Sequence, residues 1–206
     1  MSFSHQTSAG VDSIASTPNM ETGLVGRARG MLCAPKNEWR HIRRERITPR
    51  RLVVGYVTPL AAMAALSAFF RFSLIPRVPF AGAAAMALAT LGFELLAVLV
   101  VALIIDALAS SFRGMHNLWQ ALRVTAYAST PLWLSSLFLP FPTLALPALF
   151  LAGLYHIYLM YLGLETLMKS PPDRAFGYAT TVVLSAIILG IVFTQVGAGL
   201  GQTLRL

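Results

Sequence analysis

Charged residues are scarce in this chain. Of its 206 residues, 12% are Asp, Glu, Lys or Arg and 56% are hydrophobic, whereas a soluble domain has about 25% charged residues. This composition excludes an ordinary soluble domain and predicts an integral membrane protein. The few charges that are present then need an explanation, because they lie beside or within long apolar runs.

Cysteine and the common catalytic motifs are almost absent as well. Cys33 is the only cysteine, which excludes an intrachain disulfide and any multi-cysteine metal site. The chain contains no phosphate-binding GxxxxGK[ST], no zinc-binding HExxH and no GxSxG motif. We therefore predict that the protein is not an enzyme and that it carries no cofactor and no metal.

The N-terminal region lacks the charged-then-apolar opening of a cleavable signal peptide. We therefore expect the first apolar run to act as the membrane signal. Residues 1–22 are polar and are predicted to form a disordered tail. Residues 23–51 are predicted to be a cytoplasmic basic amphipathic segment, and residues 52–206 the membrane domain.

Positive charge is concentrated before the first apolar run. Nine of the sixteen Lys and Arg lie between Arg27 and Arg51, which is typical of a membrane topology signal and argues against nucleic-acid binding. Pro35 predicts the start of a helix that places Trp39 and Ile42 on one side. Such a helix is expected to lie in the headgroup plane on anionic lipids, although the charges also fit a role in topology alone. The residues predicted to contact the lipid surface are Trp39, Arg40, Arg43, Arg44 and Arg46.

Five apolar runs follow, and each approaches the roughly 20 residues that a membrane-spanning helix needs. If the N-terminus is cytoplasmic, thirteen of the sixteen Lys and Arg lie on the inside, and this asymmetry predicts an N-in, C-out orientation. The predicted fold is an all-α integral membrane protein with five transmembrane helices, preceded by short basic amphipathic interfacial helices. The predicted spans are residues 52–74, 83–108, 121–139, 143–167 and 178–200.

Acidic residues interrupt the apolar runs, although a charge at the bilayer centre costs about 2.5–3.5 kcal/mol even on the lower scales. Glu165 precedes Lys169 by four residues, the favourable spacing for a helical ion pair. Asp106 is expected about one turn from the cytoplasmic surface, where Arg113 can fold back toward it. For Asp106, a buried ion pair and a ligand or proton site both remain open.

Glu94 is the most deeply placed of these acids. At about 1.5 Å per residue it lies near the midplane, roughly 18 Å from Asp106, with Thr90 in reach of a hydrogen bond. It is either a functional site or a neutral carboxyl bonded to another span. We also expect polar side chains of spans two, three and four to form a cluster if these spans are neighbours. The members of this cluster are Asp106, Tyr127, Tyr161 and Glu165, and with Glu94 and Arg113 they make up the candidate polar site.

Proline and histidine mark two further positions inside the spans. Pro131 removes its own N–H and frees the carbonyl of Tyr127, which predicts a kink in span three. The alternative is a broken helix that lines a cavity. His156 in span four is interpreted as a helix-to-helix hydrogen bond, with a proton relay as the alternative.

Several stretches resemble bacterial members of the Yip family. They are "GRARGMLCAPKNEWRHI", "GYVTPLAAMAAL", "ALIIDALASSFRG", "QALRVTAYASTPLWLSSLF" and "LAGLYHIYLMYLGLETLMKSPPDRAFGYATTVVL". The resemblance implies a five-span helical protein with a cytosolic N-terminus, placed in the bacterial cytoplasmic membrane. The resemblance extends to eukaryotic relatives that interact with Rab-type GTPases. Their long cytosolic N-terminal region is reduced here, and no GTPase-binding residue can be matched.

Two functions are compatible with this pattern. The first is a non-enzymatic membrane protein that organises membranes or partner proteins through its basic segment and helical bundle. Its partners would be anionic lipids and a membrane protein, or further copies of itself. The alternative is a small carrier or channel for an ion, a proton or a lipid, with Glu94 and Asp106 as its working residues.

Overall fold

The computed structural model describes residues 23–74 and 78–203. Within these ranges all regular structure is helical, which confirms the all-α prediction. The predicted disordered tail, residues 1–22, lies outside the described residues. The helices are α1 (Leu24–Cys33), α2 (Pro35–Arg44), α3 (Pro49–Leu52), α4 (Thr58–Ser73), α5 (Phe80–Leu108), α6 (Leu118–Ala128), α7 (Thr130–Ser135), α8 (Pro142–Leu167) and α9 (Pro172–Thr203).

Four helical stretches of the described chain are long and apolar enough to cross a bilayer. In the first of them, a π-helical turn at Val53–Val57 joins α3 to α4. Pro59 explains this turn, because it has no N–H to donate to the carbonyl four residues earlier. The residue before it, Thr58, donates its N–H to the carbonyl of Val53, which lies five residues earlier as in a π-helix. The four stretches are Pro49–Ser73, Phe80–Leu108, Pro142–Leu167 and Pro172–Ile191.

The third apolar run of the sequence does not form one long helix. α6 ends at Ala128, Ser129 forms a turn, and α7 continues for six residues before a 3-10 turn at Ser136–Phe138. The helix is therefore interrupted at the position that Pro131 indicates, by one residue that keeps a right-handed helical conformation with φ −73° and ψ −7°. Pro131 is the physical reason, since it cannot donate to the α6 carbonyl behind it.

The broken helix α6–α7 occupies the centre of the bundle. It packs against α4, α5 and α8, while α9 packs on α5 and α8. Residues 123–128 of α6 are all buried. The helices around α6 therefore separate residues 123–128 from the surface of the bundle.

Large exposed apolar side chains form a band around part of the bundle. On α5 they occur from Phe80 to Leu103, and on α8 from Leu144 to Leu154 with Tyr158 beyond them. Exposure on this scale is typical of a surface that faces lipid. Glu94 lies within the band on α5, whereas Asp106 lies just beyond its end.

The second half of α8 is covered by the N-terminal helices. α1 and α2 form a hairpin, and α2 packs along α8. The hydroxyl of Tyr155 on α8 donates to the carbonyl oxygens of Met31 and Leu32, at 3.1 and 2.9 Å. These bonds satisfy carbonyl groups that the end of α1 would otherwise leave unpaired. The basic segment is therefore docked on protein over much of its length.

Candidate functional site

The break between α6 and α7 has its own hydrogen-bond partners. The hydroxyl of Thr130 donates to the Tyr127 carbonyl at 2.7 Å, which replaces the bond that Pro131 cannot make. The oxygen atoms of Tyr56 and Thr130 are 2.6 Å apart. Because the Thr130 proton is already committed, Tyr56 is the donor of this second bond. The break is thus held by groups from two elements.

His156 supplies the next partner at the break. Its Nδ1 lies 2.8 Å from the carbonyl oxygen of Ala128. A carbonyl oxygen only accepts, so Nδ1 carries the proton. In the neutral ring Nε2 then keeps a lone pair. The interpretation of His156 as a helix-to-helix hydrogen bond is confirmed.

Glu94 reaches across to the broken helix. Its Oε2 accepts the indole N–H of Trp133 at 3.0 Å. The expected bond from Thr90 is not formed, because that hydroxyl donates to the Met86 carbonyl of its own helix at 2.8 Å. Glu94 is therefore bonded to another element of the bundle, and Trp133 is a partner that the sequence did not indicate.

A cavity of about 310 Å³ lies where these groups meet. Side chains from α5, α6, α7, α8 and α9 contribute to its wall. Apolar residues such as Val98, Met160 and Val182 form much of the lining. Its polar side chains are Glu94, Thr125, Ser129, Ser135, Ser136 and His156. The broken helix therefore lines a polar cavity, at the level of the apolar band on α5.

Asp106 lies outside this cavity, and its partner differs from the predicted one. Its Oδ2 is 3.8 Å from Nδ1 of His116. Arg113 is exposed and adopts a left-handed conformation with φ 54°, so it ends the turn and does not fold back. Oδ1 of Asp106 is buried and has no hydrogen-bond partner in the described part of the chain.

Glu165 has only one of the two partners that helical spacing offers it, Tyr161 four residues before and Lys169 four residues after. Lys169 lies beyond the end of α8 in a left-handed conformation with φ 52°, so helical spacing no longer applies to the pair. The described residues contain no ion pair between Glu165 and Lys169. The carboxylate instead interacts with the hydroxyl of Tyr161. These side chains line a groove between α2 and α8.

The predicted four-residue cluster is not assembled. Tyr127 is buried beneath α2, with its ring 6.3 Å from that of Trp39 and 4.8 Å from that of Tyr56. Tyr161 and Glu165 line the groove on the other side of Trp39, and Asp106 pairs at the end of α5. The helices themselves are neighbours, since α6 packs against both α5 and α8, but these four side chains lie at separate places around them.

A buried guanidinium holds the N-terminal hairpin together. Arg27 is 5% exposed; its Nη1 donates to Glu38 at 2.6 Å and its Nη2 to Glu45. Its guanidinium carbon also lies 5.6 Å from the centre of the Tyr127 ring. Burial lowers the pKa of Arg27, but Tyr127, Glu45 and Glu38 together raise it above its usual value. The group remains charged and links α1, the end of α2 and α6.

Arg123 makes a second link, from α6 to the end of α2. Its Nη2 donates to the carbonyl oxygen of Ile42 and, at 3.2 Å, to that of Glu45. The last carbonyls of a helix are unpaired and carry the negative end of its dipole, so a cation is favourable there. Nη1 donates to Gln120 at 3.1 Å. We call Arg27 and Arg123 the arginine clamp.

Trp39 is not a lipid contact, and that prediction is wrong. Its side chain is fully buried and packs against Tyr127 and Gly163. The same helix that turns Trp39 and Ile42 inward leaves its cations outside. The four other predicted contacts, Arg40, Arg43, Arg44 and Arg46, are all exposed. We call these four side chains the arginine face.

Two sequence signals for the clamp were present. Arg123 lies inside the third apolar run, two residues after its predicted start, and was counted only as a topology charge. Arg27 is followed by two carboxylates within the basic segment, Glu38 and Glu45, which are the only acidic residues between Arg27 and Arg51. An isolated cation in an apolar run and isolated acids in a basic run both indicate buried partners.

A family model described as the Yip1 domain matches residues 29–194. No curated protein and no solved structure matches the chain. The matched range includes α2, the arginine face, Arg123 and every residue that lines the cavity.

Proposed function

The chain belongs to the Yip1-domain family, and from this premise we propose that it is a multi-pass membrane protein that organises anionic lipids and membrane-protein partners. It acts without catalysis, in a bacterial cytoplasmic membrane, with five crossings and an N-in, C-out orientation. Its partners include further copies of the same chain. The arginine face works at the cytoplasmic leaflet.

The single observation that supports this function is the fixed exposure of the arginine face. The arginine clamp and the burial of Trp39 hold α2 in one orientation on the bundle. Arg43 and Arg44 are consequently exposed. Arg40 is exposed as well, but it donates to the Lys36 carbonyl at 3.4 Å and to the Asn37 side chain on its own helix. Each Lys or Arg near an anionic leaflet is worth about 1 kcal/mol, and a helix whose backbone is already fixed on the bundle loses no further backbone entropy when it binds.

The test is native mass spectrometry of the protein after reconstitution in equal amounts of phosphatidylglycerol and phosphatidylethanolamine. We expect retained lipid to be enriched in phosphatidylglycerol. Arg43→Gln with Arg44→Gln should reduce that enrichment by up to about thirtyfold, the factor that corresponds to about 2 kcal/mol of lost surface attraction. The mass of the complex also gives the number of copies of the chain.

The control is a charge-matched pair of substitutions elsewhere. Arg113→Gln with Arg174→Gln removes two exposed cations that lie outside α2 and should leave the enrichment unchanged. Equal retention of both lipids by the wild-type protein would reject the proposal. Equal loss in both double variants would also reject it, since net charge and not the arginine face would then be responsible.

A second candidate function is a small carrier or channel. The observation that favours it is the polar cavity, in which Glu94 and His156 meet inside the apolar band. Ionisable groups at that depth typically belong to a solute or proton pathway. The carboxylate of Asp106 lies outside the cavity, so this candidate now depends on Glu94 alone.

Flux into proteoliposomes tests the second candidate. Proton, sodium and potassium flux should be measured for the wild-type protein, Glu94→Gln and Asp106→Asn. Transport through the cavity predicts flux in the wild type and in Asp106→Asn, and its loss in Glu94→Gln. Zero flux in all three proteins removes the carrier function for these ions.

A further inference from the structure

The polar cavity has the size of a small-molecule site. Its volume of about 310 Å³ is at the lower end of the roughly 300–1,000 Å³ that ligand pockets occupy. Like such pockets, it combines an apolar wall with a few polar groups that converge from different helices. The ligand that fits it is therefore compact.

Most of the hydrogen-bond donors on its wall are already used. The hydroxyl of Thr125 donates to the Ala121 carbonyl at 3.1 Å. In the same way, Ser135 donates to the Leu132 carbonyl at 2.8 Å. Ser136 does so to the carbonyl of Trp133 at 2.6 Å. Each of these hydroxyl oxygens keeps lone pairs but has no further proton to offer.

The ring donors are committed as well. The indole N–H of Trp133 is bonded to Glu94, and Nδ1–H of His156 is bonded to Ala128. His156 therefore has only the lone pair of Nε2 left. Among the described lining residues, Ser129 alone keeps a hydroxyl without a bond in the structure. The remaining capacity of the wall is mainly that of an acceptor.

The charge of the wall has one sign. Glu94 is the only ionisable acid among the described lining residues, and these include no Lys or Arg. An anionic ligand would meet a carboxylate and several lone pairs without a donor to match them. A cation with its own N–H groups would satisfy the same acceptors and face the carboxylate in a medium of low dielectric.

An inorganic divalent cation fits this wall less well. The described residues contain no group of three or more His, Cys, Asp and Glu that could hold a metal ion. A divalent ion of the Ca²⁺ type takes about 6–8 oxygen ligands. A primary ammonium needs three acceptors and brings its own donors.

We propose that the cavity is a binding site for a small organic cation of the primary-ammonium class, with Glu94 as its counter-charge and His156 Nε2 as an acceptor. This deepens the second candidate function by giving its substrate class, but it requires binding alone. Binding without transport is compatible with the site.

The indole N–H of Trp133 provides a direct readout. The chain has three tryptophans, so protein labelled with ¹⁵N at the indole and held in nanodiscs gives three signals. Trp133→Phe identifies the one at the cavity. With benzylammonium at constant NaCl we expect a saturable shift of the Trp133 signal, while the signal of Trp119, which does not line the cavity, stays in place.

Matched probes and variants decide the assignment. Benzyl alcohol and benzoate have nearly the same shape, and neither should produce the saturable shift. Glu94→Gln keeps an acceptor for the Trp133 indole and should weaken benzylammonium binding by at least about tenfold, the scale of losing one charged hydrogen-bond partner. Asp106→Asn, on the same helix but outside the cavity, should bind as the wild type does.

Several outcomes overturn the proposal. They are no saturable shift with benzylammonium, an equal shift with benzyl alcohol or with added NaCl, and unchanged affinity in Glu94→Gln. If Glu94→Gln does not fold, as judged by its Trp39 and Trp119 signals, the three probes on the wild-type protein still decide. The flux assay separates the binding site from the carrier function. Binding without flux removes the carrier function and keeps the binding site. Proton flux without benzylammonium binding removes the binding site and keeps the carrier function.

Discussion

At the scale of single residues, Trp39 and Gly163 show how closely α2 approaches α8. A Cβ atom on Gly163 would lie 2.8 Å from Cη2 and 2.9 Å from Cζ2 of the indole, and 3.1 Å from Cγ1 of Val124. The ring of Trp39 is fully buried, so a new methyl group would have to push it toward the groove that it lines between α2 and α8. Only glycine permits this contact.

We predict that Gly163→Ala destabilises the protein by about 1–3 kcal/mol, the usual cost of an extra methyl group in a packed core. The measurement is thermal unfolding in detergent. Gly153→Ala is the control on the same helix, since a Cβ there meets nothing within 4 Å. That variant should be neutral or slightly stabilising, because alanine favours a helix more than glycine does.

A rescue experiment makes the assignment specific. Trp39→Phe shortens the ring that meets the new methyl group, so Gly163→Ala with Trp39→Phe should lose less stability than the sum of the two single changes. Strictly additive losses would contradict the contact as the cause.

How far the sequence predicts individual residues depends on what surrounds them. Glu94 was identified as the buried acid because its cost in an apolar run is a local property. The role of Trp39 depends on a neighbour distant in the chain, whereas Asp106 and Glu165 lose their expected partners because Arg113 and Lys169 adopt left-handed conformations that helical spacing does not indicate. Trp39 is buried because α8 packs against it. Helical spacing identifies the apolar face of α2, but it does not indicate whether that face contacts lipid or protein.

At the scale of elements, the hairpin α1–α2 is closed by ion pairs within itself, and it is attached to the bundle by Arg123 and by the buried side chains Met31, Trp39 and Ile42. Arg27 joins Glu38 and Glu45, which are 20% and 24% exposed, and Arg123 bonds to the end of α2. Breaking a buried pair by removal of one partner costs about 3–5 kcal/mol. The partial exposure of both carboxylates places the cost near the lower end.

We predict that Arg27→Ala releases the hairpin while the long helices stay folded. Amide hydrogen exchange in α2 should accelerate by about a hundredfold, which corresponds to roughly 3 kcal/mol of lost local stability. Exchange in α5 should not change. Arg29→Ala is the control, because Arg29 is exposed two residues later in the same helix.

Two results would contradict this account of the hairpin. One is an Arg27→Ala protein with normal protection in α2, which would mean that Trp39 alone holds the helix. The other is equal acceleration in Arg29→Ala, which would mean that the total charge of α1 matters and not the clamp.

Elements were predicted best where they are long. The four long helices are predicted from the sequence because each apolar run is long enough to cross a membrane as a single helix. The run at 121–139 combines Pro131, several hydroxyls and an internal arginine, so its ends and its break depend on partners. His156 and Thr130 satisfy the carbonyls freed at the break, and no local pattern indicates those bonds.

At the scale of the whole molecule, the number of crossings depends on α6–α7. If it crosses the membrane, the turn before α6 and the start of α8 lie on opposite sides. Ser111 and Thr143 are exposed at those two places, and His41 is exposed on α2. Cysteines at these positions therefore report on the topology.

We predict that His41→Cys and Ser111→Cys, each in a Cys33→Ser background, react with an impermeant maleimide only in inverted membrane vesicles. Thr143→Cys should react only in right-side-out vesicles, because the positive charge is concentrated on the inside. Reaction of Ser111→Cys and Thr143→Cys in the same vesicles would reduce the crossings to four. Reaction of His41→Cys in right-side-out vesicles would reverse the orientation.

The central position of α6–α7 also bears on how the protein is made. This segment carries Arg123, and an arginine at the centre of an isolated span costs about 2.5–3.5 kcal/mol during insertion. One of the elements that it packs against, α8, is synthesised only later. While the ribosome completes that helix, the segment has no protein wall on that side. We expect α6–α7 to remain with the insertion machinery until α8 emerges. The segment would then enter the lipid bilayer after α8, although α8 follows it in the chain.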